Sequence, residues 1–119
     1  MANPNIVNVS VIQGKVAGAA VTASAVALVT NAASSGKILK INSLSIANIS
    51  AATATITVDV YKNQTTAYRL AFTISVPVAA TLVVISKDTS IYLEENDSLR
   101  VTASATSSLE AVCSYEEIS

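Results

Sequence analysis

Residues 38–62 constrain the fold most, because their side chains alternate between apolar and polar along the chain. Ile56, Val58 and Val60 are separated by threonine and aspartate, which is the period of a strand with one face in a core and one in water. β-branched and aromatic residues also suit such a pleated, half-buried surface. The pattern predicts two consecutive strands, at residues 38–49 and 52–62.

Short alternating runs of this kind, separated by small polar turns, continue along the chain. They predict about eight strands spaced at roughly 10–12 residues, and no segment is convincing as a helix. This arrangement is typical of an all-β protein. We expect a single antiparallel β-sandwich or jelly-roll-like domain over residues 1–119, in which residues 1–5 can form an extended arm.

Several local features refine the strand assignment. A turn is predicted at residues 14–15, and residues 16–30 are interpreted as strand or extended chain. A change of phase between Ile41 and Leu44 predicts a β-bulge near residues 42–43, or else a strand buried on both faces. Residues 82–85 are apolar on both faces, which predicts a central strand. The strand at residues 68–76 places its large apolar side chains on one face, namely Tyr68, Leu70, Phe72, Ile74 and Val76.

Low contents of charged and aromatic residues limit the functions that the chain can support. Charged residues make up 13% and aromatic residues 4%, so threonine, serine and asparagine cover the outer faces, which suits a protein covered by neighbours. The net charge of −1 argues against a nucleic-acid-binding protein, which needs a basic patch. No apolar stretch is long enough to span a membrane, and no signal peptide is recognisable. We therefore expect synthesis in a cytoplasm.

The two signs of charge are unevenly distributed. Up to Ser86 the chain has five lysines and arginines and one acidic residue, whereas from Lys87 onward it has seven acidic residues and two basic ones. Either folding mixes the two sets over one surface, or basic and acidic patches meet between subunits. Together with a core of small side chains, the second interpretation predicts a homo-oligomer, with a trimer as the expected state.

Residue chemistry gives no catalytic constellation. The chain has no histidine, one cysteine and no glycine-rich phosphate loop, so it lacks the usual general base, a thiolate zinc site and a nucleotide cradle. Cys113 lies in an apolar alternation and is expected to be a buried, inert thiol. We expect no enzyme activity and no catalytic, cofactor-binding or metal site.

Three groups of side chains have alternative interpretations, and we favour the structural one in each. Glu94, Glu95 and Asp97 either form a tight acidic turn, in which Asn96 takes a positive φ, or bind Ca²⁺ through carboxylate oxygens. The C-terminal glutamates are either surface charges or a paired-carboxylate hydrolase site, namely Glu110, Glu116 and Glu117. The tyrosines are either sheet-face and interface aromatics or a sugar-stacking platform, namely Tyr61, Tyr68, Tyr92 and Tyr115.

Several segments of the chain form a recognisable set. They are ILKINS at residues 38–43, ANI at 47–49, VP at 76–77, TLVVISKDT at 81–89, IYLEENDSL at 91–99 and SYEEI at 114–118. Together they resemble a group of small virion proteins of tailed bacteriophages, especially phages that infect cyanobacteria. The resemblance covers residues 38–119, and the phage proteins usually have glycine where this chain has Asn96. Its motifs are structural rather than catalytic.

The resemblance implies a non-enzymatic virion protein. The function it favours is that of a capsid cement or decoration protein, which would trimerise at three-fold positions of the head and bridge capsomers. The partners would be other copies of the chain and the major capsid protein or another virion protein, and the location would be the phage particle. The alternative is a head–tail, neck or tail-fibre-associated adaptor. A carbohydrate-binding module is less favoured because aromatic residues are scarce.

Residues 1–30 lie outside the resemblance and contain no acidic residue. They either form a docking arm that adds its backbone to a neighbour's sheet edge, or contain ordinary strands of the sandwich. Deletion of residues 1–13 would separate the two interpretations. Loss of an arm would leave a folded domain without particle binding, whereas loss of a core strand would leave an insoluble or unfolded protein.

Overall fold

Two antiparallel sheets packed face to face make up the fold. The computed structural model describes residues 10–119. Within this range the strands are β1 (Ile12–Val21), β2 (Val26–Thr30), β3 (Ile38–Asn48), β4 (Ala54–Lys62), β5 (Thr66–Val76), β6 (Thr81–Ile85), β7 (Ile91–Leu93), β8 (Ser98–Ala103) and β9 (Leu109–Ile118). A short 3₁₀ turn, Lys87–Thr89, precedes β7.

The order of the strands is that of a jelly roll. The first sheet has the order β1-β9-β3-β6, with the three-residue β7 also paired to β3, and the second sheet has the order β2-β8-β4-β5. Apart from β7, the strands are divided between the two sheets as in two interleaved Greek keys. The predicted all-β sandwich is confirmed. Its expected eight strands correspond to nine within residues 10–119.

The hydrophobic core lies between the sheets and consists mainly of branched aliphatic side chains. Burial of a valine, leucine or isoleucine side chain stabilises a fold by about 1.5–3 kcal/mol, so this layer supplies most of the driving force for folding. Its fully buried members include Ile41, Leu44 and Ile46 of β3, Ile56 and Val58 of β4, Leu99 and Val101 of β8, and Leu109 and Cys113 of β9.

The change of phase in β3 is a bulge. The pairing of β3 with β9 shifts register between Ile41 and Ser43, so Ile41 and Leu44 both face the core although three residues separate them. The bulge predicted at residues 42–43 is confirmed.

Positive backbone φ angles mark two tight turns. Asn63 and Gln64 both have φ of 54°, and the N–H of Thr65 donates to the carbonyl of Lys62 at 3.0 Å. This is the hairpin turn that matches the twist of β4 and β5. Asn96 has φ of 70°, which confirms the prediction for the acidic turn.

Two strand predictions are wrong. The turn predicted at residues 14–15 does not form, because β1 pairs with β9 without interruption from Ile12 to Val21. The strand at residues 82–85 was expected to be central, but β6 lies at the end of the first sheet, with Val83 exposed. Both errors concern which strand lies beside which, and a local pattern of side chains contains no information about that.

Residues 12–30 contain ordinary strands of the sandwich. β1 and β2 pair with β9 and β8, so this part of the N-terminal third belongs to the sheets and is not an arm. The arm predicted at residues 1–5 lies outside the described residues.

Candidate interaction surfaces

A carboxylate clamp holds the loops at one end of the sandwich. The carboxylate of Asp97 is buried and accepts hydrogen bonds from the N–H groups of Asn63 and Glu94, at 2.9 and 3.0 Å. It also accepts from Nζ of Lys62 at 2.8 Å, and the same ammonium donates to Glu94 at 2.6 Å. These contacts join the turn after β7 to the hairpin between β4 and β5. Hydrogen bonds to Asp97 and then to Glu94 raise the pKa of Lys62 above its ordinary value.

The acidic turn therefore has a structural role in this fold. Glu95 accepts a hydrogen bond from the N–H of Gly36, which attaches the loop before β3, and its Oε1 is buried without a partner among the described residues. Ca²⁺ takes 6–8 oxygen ligands, and one vacant carboxylate oxygen falls well short of that. No group of three or more His, Cys, Asp or Glu side chains in residues 10–119 is arranged to hold a metal ion.

A second ionic cluster lies on β9. Glu117 forms salt bridges with Lys37 at 2.6 Å and Lys15 at 3.0 Å. Hydrogen bonds from Lys37 and then Lys15 lower the pKa of Glu117. The bond to Glu117 raises the pKa of Lys15. The cluster joins β1 and the loop before β3 to the C-terminal strand.

The depressed pKa of Glu117 predicts a loss of stability in acid. A carboxylate whose pKa is lower in the folded state contributes stability that is complete above its unfolded value of about 4.3 and disappears as the pH falls through the folded value. Glu117→Gln should therefore cost less than about 1 kcal/mol at pH 7, since both lysines are half-exposed. The difference from the wild type should shrink as the pH falls below about 4.3 and through the lowered pKa of Glu117. Urea unfolding across this range measures it.

Glu116→Gln is the matched control, because the structure shows no ion pair for Glu116 among residues 10–119. An equal effect of the two substitutions, or a Glu117→Gln cost that does not shrink on acidification, would contradict the assignment.

The structure does not bring the C-terminal glutamates together. Glu110 and Glu117 lie at opposite ends of β9, about 23 Å apart at the usual rise of a strand, and Glu116 and Glu117 point to opposite faces. Glycoside hydrolysis requires two carboxyl groups within about 5–10 Å. The four tyrosines are also dispersed, on β4, β5, β7 and β9.

Cys113 lies in the core, as predicted. Burial raises the pKa of its thiol to about 11, so the thiolate that would react is scarce at neutral pH.

The other end of the sandwich is held by an amide. The side chain of Asn48 is buried, and its Nδ2 donates to the carbonyls of Ala52 and Val76 at 2.9 and 2.8 Å. Its Oδ1 accepts from the backbone N–H and the hydroxyl of Ser50 at 2.9 and 2.8 Å. One asparagine thus fixes the loop between β3 and β4 against the end of β5. The loops at this end, residues 22–25, 49–53, 77–80 and 104–108, contain no charged residue.

An exposed apolar patch lies on β5, and we call it the β5 patch: Tyr68, Leu70, Phe72 and Ile74. Their exposed fractions are 63%, 43%, 62% and 41%. Of the five residues expected to share one face, only Val76 is buried in the core. Single exposed apolar residues are normal on a protein surface, but four on one strand suggest a binding surface.

Bulges and the edge position of β5 together explain why the predicted face of this strand is not buried. The pairing of β5 with β4 shifts register twice, between Ile56 and Val58 and again between Val58 and Asp59. At the first irregularity Thr73 has φ of 47°, and its N–H donates to Oγ1 of Thr57 at 3.1 Å. The shifts move Leu70 and Phe72 off the core-facing side of the strand, where Ala71 packs against the core. Tyr68 and Ile74 stay opposite Val60 and Ile56, and they are exposed because β5 is the outermost strand.

An arginine accompanies the apolar residues of the patch. The guanidinium of Arg69 lies 5.5 Å from the ring centroid of Phe72. Asp59 lies opposite Arg69 in the strand pairing, but it accepts a hydrogen bond from Nε of Arg100 at 2.8 Å instead. The guanidinium of Arg100 also stacks on the Tyr61 ring, 3.8 Å from its centroid. No carboxylate within residues 10–119 forms a salt bridge with Arg69. Aromatic residues and arginine are enriched at protein interfaces, and they recur among the residues that dominate binding energy.

Sequence reasoning missed both the β5 patch and the Asn48 network. The patch could not be found because its residues also fit a buried face. For Asn48, the signal was a lone asparagine at the end of an apolar strand and directly before a turn.

Comparison with known proteins supports the fold alone. No family model and no curated protein matches the sequence. One similar solved structure comes from a study entitled "Bacillus endospore appendages form a novel family of disulfide-linked pili". It has a TM-score of 0.55 and 13% sequence identity, and the match covers 90% of this chain and 85% of that chain. No helix in residues 10–119 is long and apolar enough to cross a membrane.

Proposed function

We propose that this chain is a non-enzymatic structural subunit of a larger particle, which it joins through the β5 patch. The observation that supports this most directly is the patch itself, with four large apolar side chains exposed beside Arg69 on the outermost strand of the second sheet. At the two ends of the sandwich, the buried polar side chains of Asp97 and Asn48 already bind groups within the protein. In this proposal the domain acts as a scaffold that carries an adhesive surface.

The resemblance to phage virion proteins leads us to propose a capsid cement or decoration protein located in the phage particle. Copies of the chain would form a trimer and bridge capsomers, with the major capsid protein or another virion protein as the partner, after synthesis in the host cytoplasm. The alternative in the same class is a head–tail, neck or tail-fibre-associated adaptor. A carbohydrate-binding module has less support, because the exposed aromatics Tyr68 and Phe72 lie on the outermost strand of a sheet and line neither the cleft beside Lys62 and Asp97 nor the one between Gly18 and Val112.

A second candidate is a homopolymeric appendage, because the similar solved structure comes from spore pili. Cross-linking of the kind that its title describes has no support here. Cys113 is the only cysteine of the chain and it is buried, so an appendage built from it would be held by non-covalent contacts.

Labelling with an antibody on purified particles tests the proposal. Regular labelling of phage heads supports the cement role, labelling of tails or necks supports the adaptor, and labelling along filaments supports the appendage. Purified protein that shows a reproducible hydrolytic or transferase turnover, lost on substitution of Glu94, Asp97 or Glu110, would contradict the non-enzymatic assignment.

Substitution of the patch provides a matched test. Tyr68→Ser and Phe72→Ser should each reduce incorporation into the particle by tenfold or more, because central aromatic residues at interfaces contribute at least about 2 kcal/mol. Stability should change little, since both side chains are exposed. Val83→Ser, on exposed β6, is the control and should incorporate normally. Normal incorporation of both β5 variants would exclude the patch as the contact.

A further inference from the structure

Within residues 10–119, one long sheet edge has neither a bulge nor a covering strand. At the edges of the second sheet, β2 has five residues and one register shift, and β5 has two register shifts. At the other edge of the first sheet, the short strands β6 and β7 pair with different parts of β3. Short strands and bulges are the usual means by which proteins prevent edge-to-edge pairing. β1 has neither, because its ten residues pair with β9 in one continuous register.

The pairing with β9 defines which backbone groups of β1 are open. The N–H of Val11 donates to the carbonyl of Ser119 at 3.1 Å, and the N–H of Ser119 donates back to Val11 at 2.9 Å. Because antiparallel pairing alternates from residue to residue, odd-numbered residues of β1 bond to β9 and even-numbered ones point away from it. No described residue bonds to these outward groups, which belong to Ile12, Gly14, Val16, Gly18 and Ala20.

We propose that two copies of the chain pair through β1, antiparallel, about a two-fold axis at Val16. In this register Val16 lies opposite Val16 of the second copy, Gly14 opposite Gly18, and Ile12 opposite Ala20. All the open N–H and C=O groups of both strands are then bonded. If the two-fold axis lay at residue 15 or 17 instead, the open N–H and C=O groups of one terminal residue of each strand would have no partner in β1. The register centred on Val16 therefore forms the largest number of hydrogen bonds between the two strands.

Charge and exposure favour the same register. Lys15 is the only charged residue of β1, and its ammonium is already bound to Glu117 at 3.0 Å. With the axis at Val16, Lys15 lies opposite Ala17 of the second copy. An axis at Lys15 would place two lysines opposite each other, and like charges directly opposite are destabilising. Val16, 71% exposed, would become covered at the centre of the contact.

The product is one continuous sheet made from the first sheets of two molecules. The strand pair is about 30 Å long and lies at the small end of specific interfaces, so we expect association at micromolar concentrations. The contact is isologous and uses the opposite edge of the molecule from the β5 patch. It is therefore independent of the proposed particle contact, and either can fail while the other holds.

Cysteine cross-linking tests the register. In the bonded pair at the axis the two Cα atoms lie about 5.5 Å apart, which is within the Cα range of disulfides, although the two Cβ atoms must approach somewhat to form the bond. Val16→Cys should therefore form a covalent dimer under mild oxidation at micromolar concentration. Gly14→Cys is the matched control, since an added Cβ meets nothing within 4 Å and the two Gly14 positions would lie about 14 Å apart. Cys113 is buried and should not contribute.

Equal linking of both variants, or of neither, would overturn the proposal.

Charge complementation tests the same contact without covalent chemistry. Val16→Lys and Val16→Glu each place like charges at the axis. Sedimentation of each variant alone should therefore give a dimer dissociation constant at least tenfold higher than that of the wild type. An equimolar mixture should restore the dimer. Val83→Lys, exposed at the other end of the first sheet, should leave association unchanged. A wild type that remains monomeric at 100 micromolar, or a mixture that fails to restore the dimer, would exclude pairing at Val16.

Discussion

Asp97→Ala is expected to lower the free energy of unfolding by about 3 kcal/mol at pH 7. The substitution removes the shared acceptor of the N–H groups of Asn63 and Glu94 and one of the two carboxylates that bind Lys62. The carboxylate is nearly inaccessible to solvent, so water cannot easily replace it. For a domain stable by about 5–15 kcal/mol this is a large fraction, and urea unfolding measures it directly.

Two further variants separate the parts of this effect. Lys62→Met removes the cation but leaves both backbone hydrogen bonds, and it should cost less than about 1 kcal/mol because the lysine is half-exposed. Asp88→Ala, in the exposed 3₁₀ turn, should have almost no effect. An Asp97→Ala protein within 0.5 kcal/mol of the wild type, roughly the range of neutral surface changes, would refute the clamp.

Asn48→Ala should be similarly severe, with a loss of about 3 kcal/mol. The amide makes four hydrogen bonds from a buried position, and its removal leaves the carbonyl of Val76 and the N–H of Ser50 without their partner. Hydrogen exchange should show the loss locally, as faster exchange in residues 49–53 and 77–80. Calorimetry gives the total.

Asn42→Ala is the control on the same strand, because no side-chain hydrogen bond of Asn42 occurs within residues 10–119. It should change stability by much less than Asn48→Ala. If the two variants have the same melting temperature, the network at Asn48 does not stabilise the fold as described.

Much of the fold could be predicted from the sequence because the signals are local. Alternation located β3, β4, β8 and β9, and the change of phase between Ile41 and Leu44 located a bulge. Edge positions were not predictable. β6 is apolar on both faces, yet its place at the end of a sheet depends on strands far away in sequence.

The surfaces were less predictable for the same reason. The residues of the β5 patch have a pattern that suits burial, and the shifted pairing with β4 together with the edge position of β5 exposes them. Asp97 was assigned to a turn correctly, but its partner Asn63 is 34 residues away, so its role as a clamp had no local signal. Both the exposure of the β5 patch and the contacts of Asp97 depend on pairing between strands that are distant in sequence.

The two ends of the sandwich differ in their response to acid. Glu117 holds the loop before β3 at one end through ionic contacts that protonation or salt weakens, whereas Asn48 holds the other end through amide contacts that are indifferent to both. Acidification should therefore weaken the contacts of Glu117 at one pole first, because the loops at the other pole contain no group that titrates. In an assembly, the orientation of each subunit would then decide whether acid loosens its inner or its outer surface first.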